Sequence, residues 1–277
     1  MKKYFSIFFF FYCCAFTSSF YGQNKLDKSK KELNQGSKTQ TSSSSNSSSN
    51  KNTNPAVANA FVEIAGYIFL GAFKYGVIGD YKNENHLYSN LTAYPYYNKQ
   101  SGNYENYDAD TIKKNQFRID VENRFIYSNN NLYGNHLNVK IRPFQFFYLQ
   151  TDYHQLYEFD EIDNTKNNLS LFHFNIGYDR IRLEKFNFGW TLGASYVGNE
   201  VKKAGLSYGV NADYFMSNRI SFSAAAKWSK INGLAVNVLE FQSKFHRKKI
   251  FYGLGFEHLK IATPTYNFIT FGGGIYF

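Results

Sequence analysis

Beyond Phe117, apolar and polar residues alternate one for one through most of the chain. In the first such run Phe117, Ile119, Val121, Phe125 and Tyr127 share one face, and Arg118, Asp120, Glu122 and Arg124 share the other. A period of two is the signature of a β-strand, whose side chains point alternately to opposite faces. The pattern recurs: Leu137, Val139 and Ile141 alternate with Asn138, Lys140 and Arg142; Phe172, Phe174, Ile176 and Tyr178 alternate with His173, Asn175, Gly177 and Asp179. Phe186 to Tyr196, Leu206 to Tyr214 and Ile220 to Trp228 repeat it with mostly Gly, Ser, Thr, Asn and Ala on the polar side, together with Asp213 and Lys227. Ten strands are predicted, near 116–127, 132–142, 146–157, 169–181, 185–197, 204–216, 219–229, 235–245, 249–259 and 266–277. The fold class that follows is all-β, an antiparallel up-and-down transmembrane barrel over residues 115–277, with a short N-terminal helix. Twelve strands are the alternative if residues 56–97 fold as a further hairpin.

The stretch before the barrel divides by composition. Lys2 and Lys3 precede an apolar run from Tyr4 to Phe16, and Gly22 closes a small-residue region, so residues 1–22 read as an export signal. Residues 23–55 read as a disordered Ser/Asn-rich linker. In residues 56–81, Phe61, Ile64, Ile68 and Phe73 follow helical spacing, which predicts a short apolar helix that plugs the barrel or lies beneath it. Residues 82–114 form a connector.

The last strand ends on an aromatic residue: Ile269, Phe271, Ile275 and Phe277 share a face, and the chain stops there. This tail resembles the closing strand of Gram-negative outer-membrane barrels. The resemblance implies an outer-membrane location, with Phe277 and the turns near Pro143, Leu183, Ser217 and Arg247 on the periplasmic side. The connections at 128–131, 158–168, 198–203, 230–234 and 260–265 then face outside.

Composition agrees with strands crossing a membrane better than with helices. A fifth of the residues are aromatic, yet mean hydropathy is −0.46, as expected where lipid-facing and lumen-facing residues alternate. Both cysteines, Cys13 and Cys14, lie in the signal segment, so disulfide chemistry is excluded from the mature chain. The net charge of +10 is not a nucleic-acid footprint. Two lysines belong to the signal, six more lie in residues 24–54, and no basic stripe remains on the barrel. Outer-membrane lipid and a small solute are the expected partners, and no cofactor is predicted.

Arg118, Asp120, Glu122, Arg124, Lys140 and Arg142 form the expected charge network of the lumen, in which opposite signs offset one another's desolvation. Asp152 and His154, two apart on one strand, with His173 on the next, are the candidate catalytic set, since a carboxylate-oriented imidazole can act as a general base. This Asp-x-His spacing is similar to that of the omptin proteases, which are also ten-stranded outer-membrane barrels; their opposing carboxylate pair has no clear match here. The six histidines show no ligand spacing along the chain, so no metal site is predicted. The reading is a small, mostly closed barrel with a structural, binding or restricted-channel role. The alternative is an outer-membrane hydrolase of peptide or lipid, using Asp152 and His154; the balance leans against an enzyme.

Overall fold

A computed structural model describes residues 24–37, 70–97, 102–105, 117–129, 131–160, 164–216 and 219–277. The strands are β1 (Asn90–Leu91), β2 (Tyr104–Glu105), β3 (Arg118–Asn129), β4 (Leu132–Arg142), β5 (Phe147–Asp160), β6 (Thr165–Arg182), β7 (Phe186–Val197), β8 (Lys203–Phe215), β9 (Ile220–Ile231), β10 (Leu234–Arg247), β11 (Ile250–Ile261) and β12 (Thr265–Tyr276). Strands β3–β12 form one closed antiparallel barrel, each paired with its sequence neighbours, and β12 closes onto β3. All ten predicted barrel strands are present, and twelve are not needed to close it. Closure leaves no unpaired edge, where an open sheet would leave two.

The register puts the charges inside. Arg118, Glu122 and Arg124 are buried, while Phe125 and Tyr127 just beyond them are exposed. The outer surface is mostly apolar, with Leu206, Ile269, Leu254 and Tyr252 all more than half exposed. Aromatic rings line up across neighbouring strands on that surface. Phe271, Phe125, Tyr133 and Tyr157 run over β12, β3, β4 and β5 at centroid spacings of 5.3, 6.3 and 6.0 Å. Phe147, Tyr178 and Trp190 form a similar row nearer the mouth that holds Phe277, at 4.8 and 5.7 Å.

The mouth away from Phe277 is stopped by a helix, α1 (Lys25–Gln35). These residues fall in the segment expected to be a disordered linker, and a short N-terminal helix of this fold lies here. Its eleven residues hold only two leucines, too few to mark an amphipathic stripe in sequence. Leu26 and Leu33 lie seven apart, hence on one face, and pack fully buried against Leu156, Leu169, Leu171, Ile231, Val236 and Phe268 of the lumen wall. The barrel also caps the helix. Glu158 accepts hydrogen bonds from the backbone N–H groups of Lys25 (2.9 Å) and Leu26 (2.7 Å), two donors with no partner inside the helix. At the other end Asn232 donates to the carbonyl of Leu33 at 2.7 Å. Asn232 and Gly233, both at positive φ, also make the tight β9–β10 turn, so one residue shapes the hairpin and clamps the helix.

The opposite mouth is stopped by the 84–105 cap, whose described residues 84–97 and 102–105 belong to the expected 82–114 connector. Leu87, Leu91 and Tyr104 are buried there, and β1 pairs with β2 across the opening. Arg118 donates to the Thr92 carbonyl (3.1 Å) and to Asn103 (3.0 Å), tying this cap to β3. Arg182 donates to the Leu87 carbonyl and rests its guanidinium 3.7 Å from the Phe146 ring centroid.

The expected plug at 56–81 is different in its described part. Residues 56–69 lie outside the described residues. The π-helical turn Ala72–Ile78 rests against outward side chains: Trp190 donates to the Val77 carbonyl (3.0 Å), Tyr178 to Ile78 (2.8 Å) and Arg180 to Tyr75 (2.6 Å). This segment therefore straps the outside of the rim. The signal peptide and most of the linker also lie outside the described residues.

Arg180 anchors the strap by gripping both carboxylate oxygens of Glu84 at 2.9 Å. That grip, with a hydrogen bond from the Asp80 backbone N–H, holds the Glu84 carboxyl down at about 2 against an ordinary 4.5. The pair contributes fully above pH 4.5 and loses its contribution as pH falls toward 2. Because the pair is open to solvent, the effect is about 1 kcal/mol or less. Amide exchange over residues 75–84 should quicken across that window, and Glu84→Gln should abolish the pH dependence.

Candidate functional site: the lumen charge network

Between the two caps the lumen holds two tiers of charge. The lower tier contains Arg118, Asp120, Lys140 and Arg142 of the six charges predicted from sequence; Glu122 and Arg124 belong to the upper tier. Arg118 binds Asp120 through two hydrogen bonds of 2.7 and 2.9 Å, and Arg142 lies 3.5 Å from the same carboxylate. Arg142 also binds Asp179 at 2.6 Å, and Tyr104 of the cap donates to that carboxylate at 2.5 Å. Lys140 sits 4.9 Å from the Tyr148 ring centroid. That ring lies so close over Gly177 that a Cβ there would meet its Cζ at 2.1 Å, so the position admits only glycine.

The upper tier joins residues of β3, β4 and β5 to residues of β9, β10 and β11. Glu240 on β10 bridges Arg124 (2.6 Å) and Lys227 (2.9 Å), and Lys227 also reaches Asp152 at 3.0 Å. Glu122 takes Lys244 at 2.8 Å and Gln242 at 2.5 Å. Glu257 on β11 reaches across the lumen to His136 (2.9 Å) and His154 (2.9 Å). Glu240, Gln242 and Lys244 on β10 and Glu257 on β11 were not among the predicted lumen charges. Carrying the alternation of Val236 and Val238 two residues further finds Glu240.

The candidate catalytic residues are brought to one level but not into one dyad. Asp152 faces His136 (3.3 Å), Asn138 (2.5 Å) and Lys227, not His154. His154 instead lies over His136, ring centroids 3.6 Å apart. His173 pairs in register with Asp152, yet its Nδ1 meets Ser195 Oγ at 2.6 Å. Asp152, His136, His154, His173 and Ser195 are fully buried. A hydrolase needs its nucleophile and base open to substrate; here they sit between two seals.

Space in the lumen is small. A polar cavity of ≈ 70 Å³ touches Glu122, Arg124, Lys140, Gln150, Lys227 and Glu240. A second, of ≈ 50 Å³, lies toward the 84–105 cap beside Pro95 and Asn103. The larger would hold about five waters, far below the roughly 300 Å³ of an ordinary ligand pocket.

No family model and no curated protein matches this chain. Among solved structures, an outer membrane channel from Pseudomonas putida F1 is similar at a TM-score of 0.31 and 9% identity, covering 62% of this chain and 100% of that one. At that distance the likeness carries no inference about the lumen or its role.

Proposed function

We propose that this chain is a small outer-membrane barrel, sealed at rest by its own segments, with a binding or restricted-channel role. The observation that carries this reading is the inversion of the barrel: every wall charge in the two tiers faces inward, and the outward face is an apolar surface banded by aromatic rows. A surface of that extent is not stable in water and matches the hydrocarbon and interfacial zones of a bilayer. Strand lengths agree, since most barrel strands have 11–14 residues, enough to cross at a tilt. The closed lumen supports binding or gated passage in preference to hydrolysis. Water and small ions are the solutes whose size suits the cavities as they stand; anything larger requires a cap to move.

Lipid contact can be read directly from the two tryptophans, Trp190 and Trp228, which both lie on the outer face. In vesicles of brominated phospholipid, Trp228 fluorescence should be strongly quenched, with Trp190, beneath the strap, quenched less. Unquenched emission from Trp228 in a folded, vesicle-bound sample would rule out the membrane reading.

A further inference from the structure

We propose that His136, His154 and Glu257 form a binding site for a divalent transition-metal ion of the zinc type, in the middle of the lumen. His136 and His154 stand opposite each other on the paired strands β4 and β5, and Glu257 arrives from β11 across the barrel. One ligand atom from each lies within 4.8 Å of the others, and all three side chains are fully buried. Two imidazoles and a carboxylate are a donor set that borderline divalent ions such as zinc accept.

A second observation points to a missing occupant. Among the described residues, neither ring nitrogen of His154 has a hydrogen-bond partner, and neither has Glu257 Oε1. The 2.9 Å between His154 Nε2 and Glu257 Oε1 is a close approach without hydrogen-bond geometry. Fully buried polar atoms are rarely left unpaired, and a shared cation satisfies both at once. Zinc bonds of about 2.0–2.1 Å put tetrahedral ligand atoms roughly 3.3 Å apart, so small side-chain shifts accommodate the ion.

The surroundings suit a cation. Asp152, Glu240 and Glu257 face two fixed positive groups, Arg124 and Lys227, which leaves a negative excess when the imidazoles are neutral. Asp152 Oδ1 stands 3.3 Å from His136 Nε2, the carboxylate-behind-histidine arrangement that orients a ligating ring and leaves Nδ1 for the metal. Arg124 also reaches that Nδ1, at 2.7 Å, so a bound ion requires Arg124 to keep only its 2.6 Å bond to Glu240. The ≈ 70 Å³ cavity shares Arg124, Lys227 and Glu240 with this cluster and brings water to its edge.

The test uses the untagged full-length mature protein in detergent, stripped with a chelator, with Zn²⁺ alone as probe. The expected result is one tightly bound ion per chain. His154→Gln and Glu257→Gln should each weaken binding by about 100-fold or more, and Asp152→Asn by about 10–100-fold. His258→Gln, on the outer face and bonded to Asn267, should change nothing. X-ray absorption at the zinc edge of the wild type should show two imidazole nitrogens, a readout that stands even if a variant fails to fold. Absence of tight Zn²⁺ binding by folded wild type, a zinc shell with fewer than two imidazoles, or undiminished binding by folded His154→Gln would each overturn the proposal.

Discussion

In a planar bilayer, the mature protein should carry no sustained current, and neither should a variant lacking residues 24–37; the barrel alone, residues 117–277, should conduct. Three obstacles stand in series along the lumen, and current through a series is set by the tightest. The first is α1. Burial of Leu26 and Leu33 is worth about 1.5–3 kcal/mol each, and the Glu158 cap adds charge-assisted bonds of about 1.5–3 kcal/mol. The second is the middle tier, where Glu257 spans from β11 to β4 and β5. The third is the 84–105 cap, tied by Arg118, Arg182 and Tyr104. Deleting α1 removes one of the three, so the path stays shut. Starting the chain at residue 117 removes both caps and leaves only side chains that can swing. Current through wild type would refute the sealed state, and current after loss of 24–37 alone would assign the whole seal to α1. Silence of the folded barrel would assign it to the Glu257 crossing, with Glu257→Ala in the barrel alone as the next measurement.

Glu240→Ala should destabilise the barrel by about 3 kcal/mol, among the largest effects of any single lumen change. The residue neutralises Arg124 and Lys227 together, and truncating one partner of a buried ion pair costs about 3–5 kcal/mol because the other charge is left uncompensated. The lower end applies here. Lys227 keeps Asp152 at 3.0 Å, and Arg124 keeps Glu122 at 3.7 Å. In a urea titration of vesicle-inserted protein with chelator present, the midpoint should drop markedly. Lys227→Met combined with Glu240→Ala should cost less than the two changes summed, because the pair is lost as a unit. Additive losses would mean the two charges do not depend on one another.

Much of this architecture was legible along the chain. The period-two alternation from Phe117 to Phe277 was enough for ten strands, their order and their inward faces, because a one-residue slip would drive Arg118, Asp120, Glu122 and Arg124 into the outer face. The same alternation placed Arg142, Asp179 and the two histidines grouped with Asp152, His154 and His173, on the lumen side. Glu240 was not among the predicted lumen charges, although its phase follows from Val236 and Val238.

Which lumen residues touch was not legible. Strand spacing placed Asp152 beside His154, but cross-strand pairing gave Asp152 to His136 and His154 to Glu257, whose strand is over a hundred residues away in the chain. Closure of the barrel makes those neighbours, and local sequence contains no signal of closure distance. Nor could sequence find α1. Two leucines in eleven residues make a helix only when a surface exists to bury them, and that surface is assembled from several strands and their turns. The alternation of residue types by itself determined the sheet, because backbone geometry alone converts a period of two into two faces. The seals, the upper charge tier and the histidine cluster were decided by tertiary structure, because each depends on side chains that only a closed barrel brings within reach.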